Sequence, residues 1–189
     1  MDQKIDNSLQ LILLDRDGVI NEDSPDFIRS ADQWQPIPAA IDAIVMLQQH
    51  FAVAVCTNQS GIGRGYFDVA TLLQMHEKMN NLIKAAGGVP VDVFFCPHNP
   101  DAGCDCRKPK PGLLQTAMAA QKHRAANTLY VGDSEKDLLA AEAIGCHASL
   151  VLTGKGQQTR LTPTGQANKW VAPNLMALAK TLTAQLSDV

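Results

Sequence analysis

Short apolar runs, each broken off by a polar residue, predict the strands of this chain. Leu11–Leu14 is apolar throughout and stops at Asp15, and the run at 52–56 stops at Thr57. Apolar side chains at every position, not at alternate ones, are typical of strands buried on both faces of a parallel sheet. Three further runs bring the predicted strands to five, at 92–95, 128–131 and 148–151.

The segments between these runs have the apolar spacing of helices. They lie at 39–49, 68–86, 112–122, 134–144 and 174–186. Strands that alternate with helical crossovers predict a doubly wound α/β domain, a parallel sheet covered by helices on both faces. Residues 1–189 are long and apolar enough to form one core, so we predict a single domain. The stretch at 154–169, rich in Gly, Gln and Thr, is predicted to be a surface loop.

Charge and composition favour a small-molecule partner. The formal net charge of -3 lacks the basic excess of nucleic-acid-binding proteins, so we expect no nucleic acid partner. A polar N-terminal stretch, with no run of about 18 apolar residues anywhere, predicts neither a signal peptide nor a membrane span. We therefore expect a soluble cytoplasmic protein, and its compactness favours a monomer. In that compartment the 5 cysteines are expected to be metal ligands, catalytic groups or core residues, not disulfides.

Charged residues follow the predicted strands where ligands of doubly wound sheets bind. The first strand is followed by D-R-D-G at 15–18, the second by Thr57 and the fourth by G-D at 132–133. Lys108 precedes the helix that leads into the fourth strand. Carboxylates and a cation at one edge predict a magnesium and phosphate site.

Each of these residue types suits one part of phosphoryl transfer. Asp15 is predicted to be the nucleophile, and Asp17 the acid that protonates the leaving alkoxide and then activates water. The Asp15 and Asp133 carboxylates, with the backbone carbonyl of Asp17, are predicted to hold Mg²⁺. Thr57 and Lys108 are predicted to hold the phosphoryl oxygens.

A second metal site is predicted directly after the third strand. Its pattern is C-x-H-x5-C-x-C, and its residues are Cys96, His98, Cys104 and Cys106. Three thiolates and one imidazole make a closed tetrahedral set for Zn²⁺. Since such a set leaves no open coordination position, the predicted zinc is structural. Cys56 and Cys146 are predicted to be core residues.

A single aspartate at the end of a strand is as often a helix cap or a turn residue as a functional residue. The strand-end motifs are more specific when they are taken together. The ordered set of D-x-D-G, Thr, Lys and G-D-x-x-x-D resembles the haloacid dehalogenase superfamily of phosphatases. The last aspartate of this set, Asp137, lies one helical turn after Asp133. Two roles stay open for it, orienting Lys108 or capping the helix.

The cysteine-rich loop indicates a particular branch of this superfamily. The sequence C-P-H followed by C-D-C-R-K-P is similar to the zinc-loop phosphatases of this superfamily, and T-N-Q-S-G-I-G-R-G at 57–65 resembles their heptose bisphosphate branch. This resemblance implies a minimal cap, Mg²⁺ and Zn²⁺ as cofactors, and removal of the 7-phosphate of a heptose bisphosphate during synthesis of lipopolysaccharide heptose. Histidinol phosphate is the nearest alternative substrate. A polynucleotide 3'-phosphatase and a zinc-binding module without turnover are further alternatives.

The resemblance also implies a set of substrate contacts. It places along the sugar phosphate Asp23, Ser24, Pro25, Asp26, Thr57, Asn58, Gln59, Ser60, Arg107 and Lys108. Arg64 and Arg107 are candidates to hold the phosphate that is not cleaved, because guanidinium pairs with phosphate oxygens in a bidentate way. Relatives often have a longer basic side chain where this chain has Ser134, so no substrate contact is carried over to that position.

Overall fold

The computed structural model describes residues 8–187, and its centre is a six-stranded sheet in which every strand pairing is parallel. The strands are β1 (Leu11–Leu14), β2 (Ala52–Asn58), β3 (Asp92–Cys96), β4 (Thr128–Gly132), β5 (His147–Val151) and β6 (Trp170–Ala172). Their order is β3-β2-β1-β4-β5-β6. The chain therefore winds outward in both directions from β1, and the predicted doubly wound sheet is confirmed.

Eight α-helices lie between and after the strands in the described part of the chain. They are α1 (Ala40–Gln48), α2 (Ser60–Gly63), α3 (Val69–Ala85), α4 (Gly112–Gln121), α5 (Glu135–Ile144), α6 (Gly156–Thr159), α7 (Pro163–Ala167) and α8 (Leu175–Ser187). Each of the five helices predicted from apolar spacing is present with nearly the predicted bounds. None of these eight helices combines the length and apolar character that a membrane crossing requires.

Two predictions about the second half of the chain are wrong. The sheet has a sixth strand, β6, whose apolar run W-V-A is only 3 residues long and is therefore too short to be recognised as a strand from the sequence. The segment at 154–169 is not an irregular surface loop, because it contains α6 and α7 and buries Thr159. Helices of 4 and 5 residues are too short to show apolar periodicity.

The central strand, β1, is buried on both faces of the sheet. Leu11 and Leu13 pack into one apolar cluster and Ile12 and Leu14 into the other, and all four side chains are fully buried. Cys56 and Cys146 belong to the first of these clusters, as predicted for core cysteines. Because the apolar run ends at Leu14, the next residue lies at the carboxyl edge of the sheet.

Candidate active site

A cleft of about 750 Å³ opens at the carboxyl edge of the sheet. It brings together most of the residues predicted for the site, namely Asp15, Asp17, Asp23, Ser24, Pro25, Thr57, Asn58, Gln59, Ser60, Arg107, Lys108 and Asp133. Asp26 and Arg64 are not among the described residues that line it. Both are exposed, and the Arg64 guanidinium lies 5.9 Å from the centre of the Phe27 ring.

Asp15 is the first residue after β1 and lies at the bottom of this cleft. Its backbone N–H donates to the carbonyl of Val131, which ties it to β4. Its Oδ1 accepts hydrogen bonds from the Arg16 backbone N–H at 2.8 Å and from Lys108 Nζ at 2.9 Å. Burial, with the carboxylates of Asp137 and Asp133 nearby, raises the pKa of Asp15 well above its ordinary value, and the Lys108 charge opposes that rise.

Lys108 is a buried cation with a partner on every side. Besides Asp15, its Nζ contacts Asp137 Oδ1 at 2.7 Å and donates to Tyr130 Oη at 2.6 Å and to the Cys56 carbonyl at 3.1 Å. Burial by itself lowers the pKa of Lys108, but the two carboxylates outweigh it and raise the pKa above its ordinary value. Lys108 is therefore a permanent positive charge beside Asp15.

Asp137 performs both of the roles left open by the sequence. While Oδ1 pairs with Lys108, Oδ2 accepts from the backbone N–H of Ser134 at 3.0 Å and from its hydroxyl at 2.6 Å. Since Ser134 is the N-cap residue of α5, these two bonds let the Asp137 carboxylate cap the start of that helix. Asp137 thus anchors the lysine to the helix that follows β4.

Asp17 is held by three neighbouring side chains. Its oxygens accept from Arg16 Nη2 at 2.9 and 3.1 Å, from Asn21 Nδ2 at 2.9 Å and from Gln59 Nε2 at 2.8 Å. Burial raises the pKa of Asp17, but the Arg16 charge and these hydrogen bonds outweigh it and lower the pKa below its ordinary value. The amide of Gln59 also donates to Thr57 Oγ1 at 2.8 Å, so Asp17 and Thr57 are linked.

The carboxylates at the bottom of the cleft suit a divalent cation. Asp15, Asp133 and Asp137 each place a carboxylate oxygen within 4.8 Å of the others. Lys108 and Ser134 already occupy the oxygens of Asp137, which leaves Asp15 and Asp133 for a metal. Three carboxylates around one ammonium leave excess negative charge, and carboxylate oxygens are the ligands that Mg²⁺ prefers.

Asp133 is fixed in this position by two glycines and a backbone donor. Gly18 and Gly154 both have positive φ, and a Cβ on either would overlap the Asp133 carboxylate. The backbone N–H of Lys155 donates to Asp133 Oδ2 at 2.7 Å. Burial and the nearby Asp137 raise the pKa of Asp133 to about 7.

The four predicted zinc ligands converge after β3. The Sγ of Cys96 lies 3.7 Å from the Sγ of Cys104 and 3.5 Å from His98 Nδ1, and Cys106 Sγ lies 3.3 Å from the same nitrogen. Tetrahedral zinc, with bonds of about 2.3 Å to sulfur and about 2.0 to 2.1 Å to nitrogen, separates its ligand atoms by about 3.5 to 3.8 Å. The donor set therefore fits a zinc ion.

Sequence reasoning gave no role to Arg16 or Asn21, which hold Asp17, and it missed two further residues of the site. Tyr130 lies inside β4 and touches Lys108 and Asp137 with its hydroxyl. Lys155 lines the cleft from the loop after β5 and pairs with Asp23 at 2.6 Å. The signal for Lys155 was its place in G-K-G just past the end of a strand, where the ligand-binding edge of a doubly wound sheet lies.

The candidate nucleophile at the carboxyl end of the central strand and the buried lysine beside it define a phosphohydrolase of the haloacid dehalogenase-like class. A HAD-hydrolase-like family model matches residues 105–178. The D-glycero-beta-D-manno-heptose-1,7-bisphosphate 7-phosphatase of Neisseria meningitidis is 49% identical over 152 residues, which are 80% of this chain and 81% of the relative. The enzyme of the same name from Pseudomonas aeruginosa is 47% identical over 176 residues, which are 93% of this chain and 98% of the relative.

A solved structure resembles the whole fold. The D,D-heptose 1,7-bisphosphate phosphatase of Bordetella bronchiseptica, crystallised with magnesium and phosphate, has a TM-score of 0.89 and 42% identity, covering 94% of this chain and 99% of that one. The chain belongs to the D-glycero-β-D-manno-heptose-1,7-bisphosphate 7-phosphatase family of haloacid dehalogenase-like hydrolases. The resemblance inferred from the sequence motifs is thereby confirmed.

Proposed function

We propose that this protein hydrolyses the 7-phosphate of D-glycero-D-manno-heptose 1,7-bisphosphate through an aspartyl-phosphate intermediate on Asp15. The observation that carries the chemistry is the contact of 2.9 Å between Lys108 Nζ and Asp15 Oδ1 at the bottom of the cleft. Burial disfavours the ionised form of Asp15, whereas the Lys108 charge favours it and a bound divalent cation would favour it further. The resulting carboxylate is placed to meet a phosphoryl group whose oxygens need neutralising. The substrate rests on membership of the family.

In the first step a carboxylate oxygen of Asp15 forms a bond to phosphorus while the bond from phosphorus to the sugar oxygen breaks. A proton from Asp17 goes to the departing alkoxide. Lys108 and Thr57 hold the phosphoryl oxygens. In the second step water attacks the phosphorus, Asp17 takes a proton from it, and the bond between phosphorus and Asp15 breaks.

The protonation state of Asp17 before the substrate binds decides whether it has a proton to donate. Arg16, Asn21 and Gln59 lower its pKa, so the side chain is ionised before substrate arrives. A phosphate dianion in the cleft competes for the same donors, and its charge favours a proton on the neighbouring carboxylate. Asp17 thus becomes the acid when the phosphoryl group is bound.

Asp15 and Asp133, with the backbone carbonyl of Asp17, would hold Mg²⁺. When bound there, the ion supplies positive charge to the phosphoryl oxygens during transfer. The related Bordetella enzyme, crystallised with magnesium and phosphate, supports this assignment. The cleft of this chain offers the matching carboxylates.

Cys96, His98, Cys104 and Cys106 would bind one structural zinc ion. Their role is to fold the segment after β3 so that Arg107 and Lys108, which follow the last ligand, reach the cleft. The side chain of Asn58 joins that segment to β2, since its Nδ2 donates to the Lys108 carbonyl at 3.1 Å and its Oδ1 accepts from the Lys108 N–H at 3.2 Å.

The physiological setting belongs to the same proposal. The enzyme would act as a monomeric single domain in the cytoplasm, on a small sugar phosphate and without a nucleic acid partner. The family resemblance implies a place in the synthesis of the heptose of lipopolysaccharide. The relatives are named for the β anomer of the heptose, so the assay of function includes both anomers.

Phosphate release from heptose 1,7-bisphosphate, histidinol phosphate and a 3'-phosphorylated oligonucleotide tests the proposal. The wild-type protein with Mg²⁺ should have a kcat/KM for the bisphosphate at least about a hundredfold above the other two, a difference of about 2.7 kcal/mol in transition-state binding. Phosphorus NMR should show the 1-phosphate intact in the product. A preference for histidinol phosphate or the oligonucleotide would refute the proposed substrate.

A further inference from the structure

Lys155 connects two parts of the cleft that are far apart in sequence. Its Nζ lies 2.6 Å from Asp23 Oδ2, so its side chain reaches from the loop after β5 to the segment after β1. Its backbone N–H donates to Asp133, one of the two carboxylates that suit magnesium. The main chain of Lys155 is therefore anchored beside the reacting centre, and its ammonium is held by Asp23.

The two buried cations of the cleft cannot bind a second phosphate group. Arg16 and Lys108 are both buried and are committed to Asp17 and to Asp15, respectively. A bisphosphate carries a second phosphate that these two cannot serve. Of the two sequence-based candidates for that task, Arg64 is not among the described residues that line the cleft, whereas Arg107 does line it and would share the task with Lys155. Lys155 also lines it, and 62% of its side chain is exposed.

We propose that Lys155 binds the phosphate of the substrate that is not cleaved, and that Asp23 holds the ammonium in place until the substrate arrives. This inference rests on the proposed function. Exposed ion pairs contribute little stability, so a phosphate can displace the Asp23 carboxylate at small cost. A phosphate dianion carries more charge than a carboxylate and forms strong charge-assisted hydrogen bonds with ammonium groups. Lys155 thereby becomes a residue that distinguishes bisphosphates from monophosphates.

The alternative is that the ion pair only fastens the two segments together. In that case the removal of either partner breaks the same contact and has the same effect. If Lys155 binds phosphate, the two removals act in opposite directions, because the loss of Asp23 frees the ammonium for the substrate. The signs of the two effects therefore separate the two explanations.

The test compares Lys155→Met, Asp23→Asn and the double variant. Methionine keeps the length of the side chain and the backbone N–H that supports Asp133, and it removes only the charge. Asparagine keeps a hydrogen-bonding group toward sugar hydroxyls. Lys180→Met, an exposed lysine on α8, is the matched charge control. Thermal unfolding of each variant checks that the fold is kept.

Lys155→Met should raise KM for heptose 1,7-bisphosphate on the order of tenfold or more, while kcat/KM for p-nitrophenyl phosphate stays within about twofold. In Asp23→Asn the ratio of KM for the bisphosphate to KM for p-nitrophenyl phosphate should stay at or below the wild-type ratio, and in the double variant this ratio should resemble that of Lys155→Met. Equal losses of bisphosphate affinity in both single variants, or equal losses of kcat/KM on both substrates, would overturn the inference about Lys155 and leave the proposed function intact. A wild-type protein that hydrolyses p-nitrophenyl phosphate but not the bisphosphate would instead overturn the proposed function, and this inference with it.

Discussion

The ammonium of Lys108 lies 2.9 Å from one carboxylate oxygen of Asp15, and both side chains are almost entirely buried. The same ammonium lies 2.7 Å from Asp137, which is anchored at the start of α5. Removing one member of a buried charge pair leaves the other without a partner, which is strongly destabilising. Substitutions at Lys108, Asp137 or Asp15 are therefore expected to change both activity and stability. Each variant of the site needs a measurement of activity and a measurement of stability.

Tyr130→Phe tests how the lysine is positioned. The hydroxyl accepts a hydrogen bond from Lys108 and donates to Asp137 or to the Cys56 carbonyl, so its loss leaves buried polar groups with fewer partners. We expect the free energy of unfolding to fall by about 1 to 3 kcal/mol. The kcat for p-nitrophenyl phosphate should fall severalfold, because Lys108 keeps both carboxylates but loses a constraint.

Chemical denaturation and steady-state kinetics measure these two effects. Tyr66→Phe is the control, since Tyr66 is 44% exposed and only its hydroxyl is removed. It should behave like wild type. A Tyr130→Phe protein with unchanged stability and unchanged kcat would show that the hydroxyl does not position Lys108.

Asp17→Asn tests the proton transfer. An alkoxide leaving group needs a proton, whereas p-nitrophenolate leaves without one. We expect the first turnover on the heptose bisphosphate to slow by about a hundred- to ten-thousandfold, and the first-turnover release of p-nitrophenolate to slow far less. Rapid-mixing kinetics measure both. Asp32→Asn, at an exposed position, is the control, and equal slowing on the two substrates would argue against Asp17 as the acid.

The magnesium affinity should depend on pH. Burial and Asp137 raise the pKa of Asp133 to about 7, so in the metal-free protein this carboxyl carries a proton below that pH. Magnesium must displace the proton, and its affinity should therefore fall as the pH drops below 7 and level off above it. The slope should be about one logarithmic unit per pH unit or steeper, because burial also raises the pKa of Asp15.

Isothermal titration calorimetry of the metal-free protein between pH 5 and pH 8, in buffers with different ionisation enthalpies, measures the affinity and the released protons. Asp133→Asn should bind magnesium weakly at every pH. An affinity that is constant across this range would contradict the assignment of Asp133 as a ligand.

Zinc content tests the second metal site. Cys104→Ser removes one of four ligands, so purified protein should contain far less than one zinc per chain, while Cys146→Ser, outside the loop, should keep its zinc. Phosphatase activity with added magnesium should drop in Cys104→Ser because the segment carrying Lys108 loosens. Wild-type protein prepared without chelator that contains no zinc would rule out the proposed site.

The positions of the strand ends could be predicted because apolar runs and polar residues meet sharply there. The run ending at Leu14 leaves Asp15 no place but the carboxyl edge of the sheet, and the same reasoning brought Thr57 and Asp133 to one cleft. The zinc loop could be predicted because its ligands are close in sequence.

Residues that depend on tertiary contacts could not be predicted in this way. Tyr130 lies within the apolar run of β4, and only the packing of Lys108 against it shows that its hydroxyl is used. Lys155 lies in a segment whose helices are too short for a periodic signal, and its partner Asp23 is distant in sequence. Arg64 looked like a phosphate ligand from its glycine-flanked motif, but its guanidinium lies near Phe27 at an exposed position.

The covalent step on Asp15 is the central claim, and rapid chemical quench with bisphosphate radiolabelled at the 7-phosphate tests it most directly. Wild-type protein quenched in acid within the first turnover should carry label that hydroxylamine releases, as expected for an acyl phosphate. Mass spectrometry of the quenched protein should place the phosphoryl group on Asp15. Asp15→Asn, which keeps the shape of the side chain but cannot form this intermediate, should carry no label and show no turnover above background. Release of labelled phosphate by the wild type with no label on the protein, or turnover by Asp15→Asn at the wild-type rate, would contradict the mechanism.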